Sequence, residues 1–210
     1  MELSLDLYLK EYFKDLEIQS PLFYNAQYGI RFEIGADEDR GYMETVYYRS
    51  LNIFNEIFSD TTDFWLYVKS YQHVEPYQLF NEGVDIFKTF LLDNSRFHKI
   101  NLFRVDEHFD EDTHELTGYV HHFSLKNNKQ SLDYIELLKA IGNQDYTIDP
   151  YVSDGVFFVE PQKHIIYYLY DDRGLDVISN NRESLLPLYK KFNHWILDYD
   201  REKIDRLFQK

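Results

Sequence analysis

Three short apolar runs, Val156–Val159, His164–Tyr170 and Leu175–Ser179, are separated only by Glu-Pro-Gln-Lys and Asp-Asp-Arg-Gly. A parallel crossover needs a dozen or more residues, so four-residue connections force neighbouring strands to run antiparallel. An antiparallel meander is therefore expected here, and a doubly wound parallel sheet is excluded for this region. Asp is a preferred turn residue, and Gly174 is expected to supply a positive φ in the second turn.

The rest of the chain supplies helices and further strands. Leu5, Tyr8, Leu9, Tyr12, Phe13 and Leu16 recur at helical spacing, and Ser20-Pro21 ends that pattern. Ile30, Phe32 and Ile34 alternate with Arg31 and Glu33, which predicts a half-buried strand closed by Gly35. A polar loop over 36–41 leads to a helix over about 41–59, with Tyr47, Leu51, Phe54 and Phe58 on one face. The run Phe64–Val68 reads as a strand buried on both faces. A loop with Pro76 then precedes a third helix carrying Phe80, Val84, Phe87 and Leu91. Strands Ile100–Val105 and Tyr119–Leu125 follow, joined by a long acidic loop, and Ser131 is the expected N-cap of the next helix. Two helices, around 182–196 and 200–208, close the chain. The expected fold class is α+β: a single domain over residues 1–210, mainly antiparallel sheet with helices packed on one face, ending in the 155–210 hairpins and closing helices.

Charge narrows the partners. The 210 residues carry 37 acids against 22 Lys and Arg, a net charge of −15. The acids are spread evenly, 17 of them falling in residues 1–105. Nucleic acid rewards a basic face, so it is not an expected partner, whereas a basic protein is. No apolar run reaches the length of a membrane span, and the first residues show no secretory pattern. The absence of cysteine excludes disulfides, thiolate nucleophiles and Cys-ligated zinc, and points to a reducing, cytoplasmic setting.

No Gly-rich phosphate loop, Gly-x-Ser-x-Gly elbow or His-Glu-x-x-His segment is present, so no cofactor, metal or catalytic residue is indicated by motif. What remains is a dense acidic stretch over 105–115, with Asp106, Glu107, Asp110, Glu111, Asp112 and Glu115 and no Lys or Arg. A calcium loop of the EF-hand type needs glycine at its sixth position, where this stretch has Glu115. These six carboxylates are the candidate surface for a basic partner. His121 and His122 are adjacent on a strand and so point to opposite faces; they cannot chelate one ion together. With Arg31 and Glu33 they make an alternative candidate ligand site, should the fold bring them into one cleft.

Two segments carry a resemblance. Tyr167–Ile178 with Leu185–Arg201, and Pro21–Asn25 with Gly29–Gly35, resemble the bacterial family called domain of unknown function 3885. The resemblance extends across nearly the whole chain, with 70–150 matching loosely, and it implies no activity and no catalytic residues. Leu185, Leu188, Tyr189, Phe192 and Trp195 suit the apolar face of a helix, and Asp198 or Asp200 suits the cap of the last one.

The functional expectation is an acidic cytoplasmic binding module that neutralises a basic partner, of the kind an immunity protein presents to a bacterial toxin. The alternative is an enzyme or small-ligand binder using the dispersed Arg, Glu and His residues. Oligomeric state is not legible.

Overall fold

A computed structural model describes residues 3–14, 16–36, 39–74, 82–146 and 148–209. Its centre is one seven-stranded sheet in which every neighbouring pair is antiparallel. The strands are β1 (Tyr28–Glu33), β2 (Phe64–His73), β3 (Asn101–Phe109), β4 (Leu116–Asn127), β5 (Gly155–Glu160), β6 (Ile165–Leu169) and β7 (Gly174–Ser179), in the spatial order β1-β7-β6-β5-β2-β4-β3. The helices are α1 (Leu5–Tyr12), α2 (Leu22–Asn25), α3 (Tyr42–Ile57), α4 (Glu82–Phe90), α5 (Tyr134–Gly142), α6 (Arg182–Lys191) and α7 (Arg201–Phe208). The α+β class and the antiparallel meander are as the sequence implies. Phe80, Pro76, Asp37 and Glu38 lie outside the described residues.

Two aromatic-rich cores explain the layering. On one face, α3 to α6 press apolar side chains onto Ile30, Phe32, Leu66, Val68, Phe158, Tyr167 and Val177. Phe54 is the hub: it stacks on Phe58 at 4.3 Å and meets Phe64, Phe158 and Tyr167 edge-on. Such geometries suit the ring quadrupole and add to area burial. The opposite face is covered too. Leu5, Tyr8 and Phe13 lie over Trp65, Tyr67, Phe157, Val159 and Ile166. The expectation of helices on one face thus describes most helices and omits α1. The central strands are apolar on both faces, so each face needs a cover.

Three local details differ from expectation. Asp133, not Ser131, caps α5 by accepting from the Glu136 N–H at 3.2 Å. The Ser131 hydroxyl is instead taken by Asn127 and Asn128 and by Arg96. Asp200 starts α7 without capping it, because its carboxylate accepts the Tyr24 hydroxyl at 2.9 Å. Among the described glycines only Gly41 has a positive φ, so Gly174 is not there for backbone freedom. A Cβ at Gly174 would run into the Tyr170 ring and hydroxyl, and that crowding is what excludes a side chain.

The two edges of the sheet are treated differently. Beyond β1, Ile196 bridges to Phe32 and the Leu197 N–H donates to the Arg31 carbonyl at 3.0 Å. Beyond β3, no main chain pairs among the described residues. No helix among them is long and apolar enough to cross a membrane.

Candidate functional site at the β3–β4 hairpin

Arg31 lies in a strand otherwise apolar on this stretch, between Ile30 and Phe32, and a guanidinium there requires an answering charge. It comes from Asp176 on β7, paired with Arg31 in register. Nε and Nη2 donate to the two Asp176 oxygens at 2.7 and 2.9 Å, and the Phe23 N–H adds a third bond to the same carboxylate. Nη1 lies 3.8 Å from Asp200, while Tyr24 stacks on the guanidinium at 4.7 Å. Asp176 is wholly buried. This cluster ties α2, β1, β7 and the start of α7 together, and the bidentate Arg31–Asp176 pair serves the fold.

Beside it, Asp145, Asp171 and Asp172 bring carboxylate oxygens within 4.8 Å of one another, a spacing that a metal ion could use. Here Arg173 holds Asp171 and approaches Asp145 at 3.8 Å, and the Tyr42 hydroxyl donates to Asp172 at 2.6 Å. Arg173 thus answers two of the three carboxylates and Tyr42 the third.

The far end of the sheet is arranged otherwise. A cleft of about 480 Å³ opens between the α1–α2 segment and strands β2, β4 and β3, within the range of small-molecule sites. Strand register assembles its wall: Lys69 opposes His122, and His122 opposes Arg104. The Tyr67 hydroxyl meets His122 Nδ1 at 2.7 Å, His122 Nε2 meets Asp106 at 3.0 Å, and Arg104 Nε donates to the other Asp106 oxygen at 2.7 Å. An ionised carboxylate can only accept, so Nε2 carries the proton and Nδ1 accepts from Tyr67. Burial, with Lys69 close by, pushes the His122 pKa down to about 4. The ring is therefore neutral near pH 7, and both its nitrogens are engaged. It is a brace for the wall and not a free base. Partial burial disfavours the Asp106 carboxylate, but Arg104 and His122 outweigh this and hold it below the usual range. Lys69 is also held below its ordinary value, by burial and then by the Arg104 charge.

Past the cleft, β3 and β4 continue as a hairpin whose tip is Asp110–Glu115. The acidic stretch is thus partly strand: Asp106 and Glu107 belong to β3, and only the last six residues form the turn. Asp110 accepts the N–H groups of Asp112 and Thr113 at 3.0 and 2.7 Å, so its carboxylate builds the turn. Those bonds hold it below the usual range. Glu107, Glu111, Asp112 and Glu115 are exposed, and their carboxylates make no ion pair among the described residues. Apolar groups accompany them: Leu102, Val105, Phe109 and Leu116 are all exposed on the hairpin.

The six acidic residues named from sequence therefore divide. Four remain available at the surface, Asp106 braces the cleft, and Asp110 holds the turn. The four alternative residues do not converge. Arg31 and His122 lie on strands separated by β7, β6, β5 and β2, Glu33 is exposed at the end of β1, and His121 points away from His122. Lys69, Arg104 and Tyr67 were not singled out from sequence. A usable signal existed at Lys69, a lone cation directly after the apolar run Phe64–Val68.

A family model described as a domain of unknown function (DUF3885) matches residues 5–200. The chain belongs to that family. An uncharacterised protein of Bacillus subtilis (strain 168), YnaE, is 30% identical over 207 residues, which covers 91% of this chain and 96% of the relative. No solved structure matches. The family match spans both ends of the sheet, the Arg31–Asp176 end as well as the cleft and the hairpin. The family's description assigns a role to neither end.

Proposed function

We propose that this DUF3885 protein is a protein-binding module that captures a basic partner on the β3–β4 hairpin, in the manner of an immunity protein restraining a toxin. The observation that carries the reading is a strand edge that, among the described residues, is unpaired and flanked by four carboxylates without ion pairs. An open edge offers main-chain donors and acceptors to an extended segment of another chain, and the exposed Leu102, Val105 and Phe109 offer it apolar contact. Like charge at the tip accelerates encounter with a basic protein and suppresses acidic competitors. The overall charge of −15 works in the same direction. A cytoplasmic setting suits a chain without cysteine.

The test is a capture experiment with the chain and a variant carrying Lys at Glu107, Glu111, Asp112 and Glu115, leaving Asp110 in place so that the turn survives. A basic protein should be retained at low salt, shed at high salt, and lost from the variant. With that partner purified, the association rate should fall tenfold or more in the variant, and amides of β3 should gain protection from exchange on binding. Retention by both forms alike, or by neither, would overturn the proposal.

A further inference from the structure

The cleft below the hairpin holds cations with capacity to spare. Arg104 uses Nε on Asp106, while its two terminal amino groups make no hydrogen bond among the described residues. Lys69 Nζ donates once, to the Ile18 carbonyl at 3.0 Å, and pairs with no carboxylate among them. Both side chains line the same cavity, together with Lys10 and Lys14, against the acids Asp6, Glu17 and Asp106. Asp6 is answered by Lys10 at 2.8 Å, and Asp106 by Arg104 and His122. With His122 neutral, four cations face three carboxylates among the described lining residues. A net positive concavity in a chain of net −15 runs against the average of the molecule.

Two like charges held near each other in a half-buried site repel, and burial penalises them further. An anion placed between them removes both costs at once. The floor and sides of the cleft are apolar, with Leu9, Phe13, Leu16 and Phe103. We propose that this cleft binds a small organic anion, a carboxylate or phosphate monoester on a compact apolar body, with Lys69 and Arg104 holding the head and Leu9, Phe13, Leu16 and Phe103 receiving the body. The Tyr67–His122–Asp106 chain fixes Arg104 in place, since Asp106 is oriented by His122 while it holds the guanidinium. This is a site distinct from the hairpin tip: it uses cations where the tip uses acids, and it sits on the α1 face.

Titration calorimetry with phenyl phosphate and with phenylacetate tests the proposal, with benzyl alcohol and benzylamine as neutral and cationic controls. At least one anion should bind and neither control should. Lys69→Gln and Arg104→Gln should each weaken that affinity about tenfold or more, the scale of a lost hydrogen bond to a charged group. Glu111→Lys with Asp112→Lys should leave it unchanged. In the unsubstituted protein the ammonium resonance of Lys69 should titrate at higher pH when the anion is present, a readout that does not depend on any variant folding. No binding of either anion up to ~10 mM, equal binding of benzylamine, or an unmoved Lys69 resonance would overturn it.

Discussion

The two ends of the sheet are built from the same residue types and put them to different use. At the β1 end an Arg is enclosed by Asp176, Asp200 and Tyr24, the strand edge is covered by Ile196 and Leu197, and the guanidinium is held bidentately by a buried carboxylate with a second one 3.8 Å away. At the β3 end another Arg meets another Asp, yet among the described residues its amino groups are unused, the neighbouring Lys69 has one bond, and nothing covers the edge. What separates scaffold from candidate site is the hydrogen-bonding capacity left after folding, together with access to it. Charge and residue identity do not distinguish them.

The sharpest break is at Asp176. Asp176→Ala leaves Arg31 buried without its counter-charge and the Phe23 N–H without an acceptor, and should cost about 3–5 kcal/mol in urea unfolding. The cleft, whose nearest strand is three places along the sheet, should keep its anion affinity. A loss under ~1 kcal/mol would mean that the β1 end is not the closed structural unit described above.

A second test uses pH. His122 is depressed to about 4 in the folded chain, while an unfolded His titrates near 6.5. Between those values the unfolded state binds the extra proton, so stability is full above about pH 6.5 and falls as pH drops toward 4. The loss should be on the order of 2–3 kcal/mol between pH 7 and 4, and His122→Gln should flatten most of it. His121, lowered by burial, acts in the same direction to a lesser degree. Asp106 and Asp110, held low in the folded chain, begin to contribute below about pH 5, so the His122 effect is read most cleanly above that. A profile unchanged in His122→Gln would show that the ring is not held neutral by its surroundings.

The smallest effect is the most informative about the contrast. Arg104→Gln removes an ion pair whose Arg side chain is 62% exposed, so the stability cost should stay below about 1 kcal/mol. The same substitution should abolish most anion binding. A large stability loss here would make Arg104 a second Arg31.

Spacing made some of this legible and hid the rest. The meander could be read because four-residue connections allow one geometry, and the opposed faces of His121 and His122 follow from strand alternation alone. The Arg31–Asp176 pair spans 145 positions, and only the pairing of β1 with β7 unites it. A single charge inside each apolar run, Ile30-Arg31-Phe32 and Leu175-Asp176-Val177, was the available clue. The length of β3 was not readable, because an edge strand exposed along its length has no buried face to impose alternation; Asp106 and Glu107 therefore passed for loop. The cleft needs Tyr67, Lys69, Arg104 and His122 from three strands, and no local pattern announces such a meeting.

The uncovered edge of β3 also bears on inheritance. Main-chain pairing is indifferent to side-chain identity, so an edge can keep receiving a partner strand while the residues around it drift. At the tip, Asp110 fixes the turn, while the carboxylates of Glu111, Asp112 and Glu115 make no ion pair among the described residues. On the proposed function, a chain organised in this way could change its partner by altering a handful of codons, while the fold behind them stays as it was.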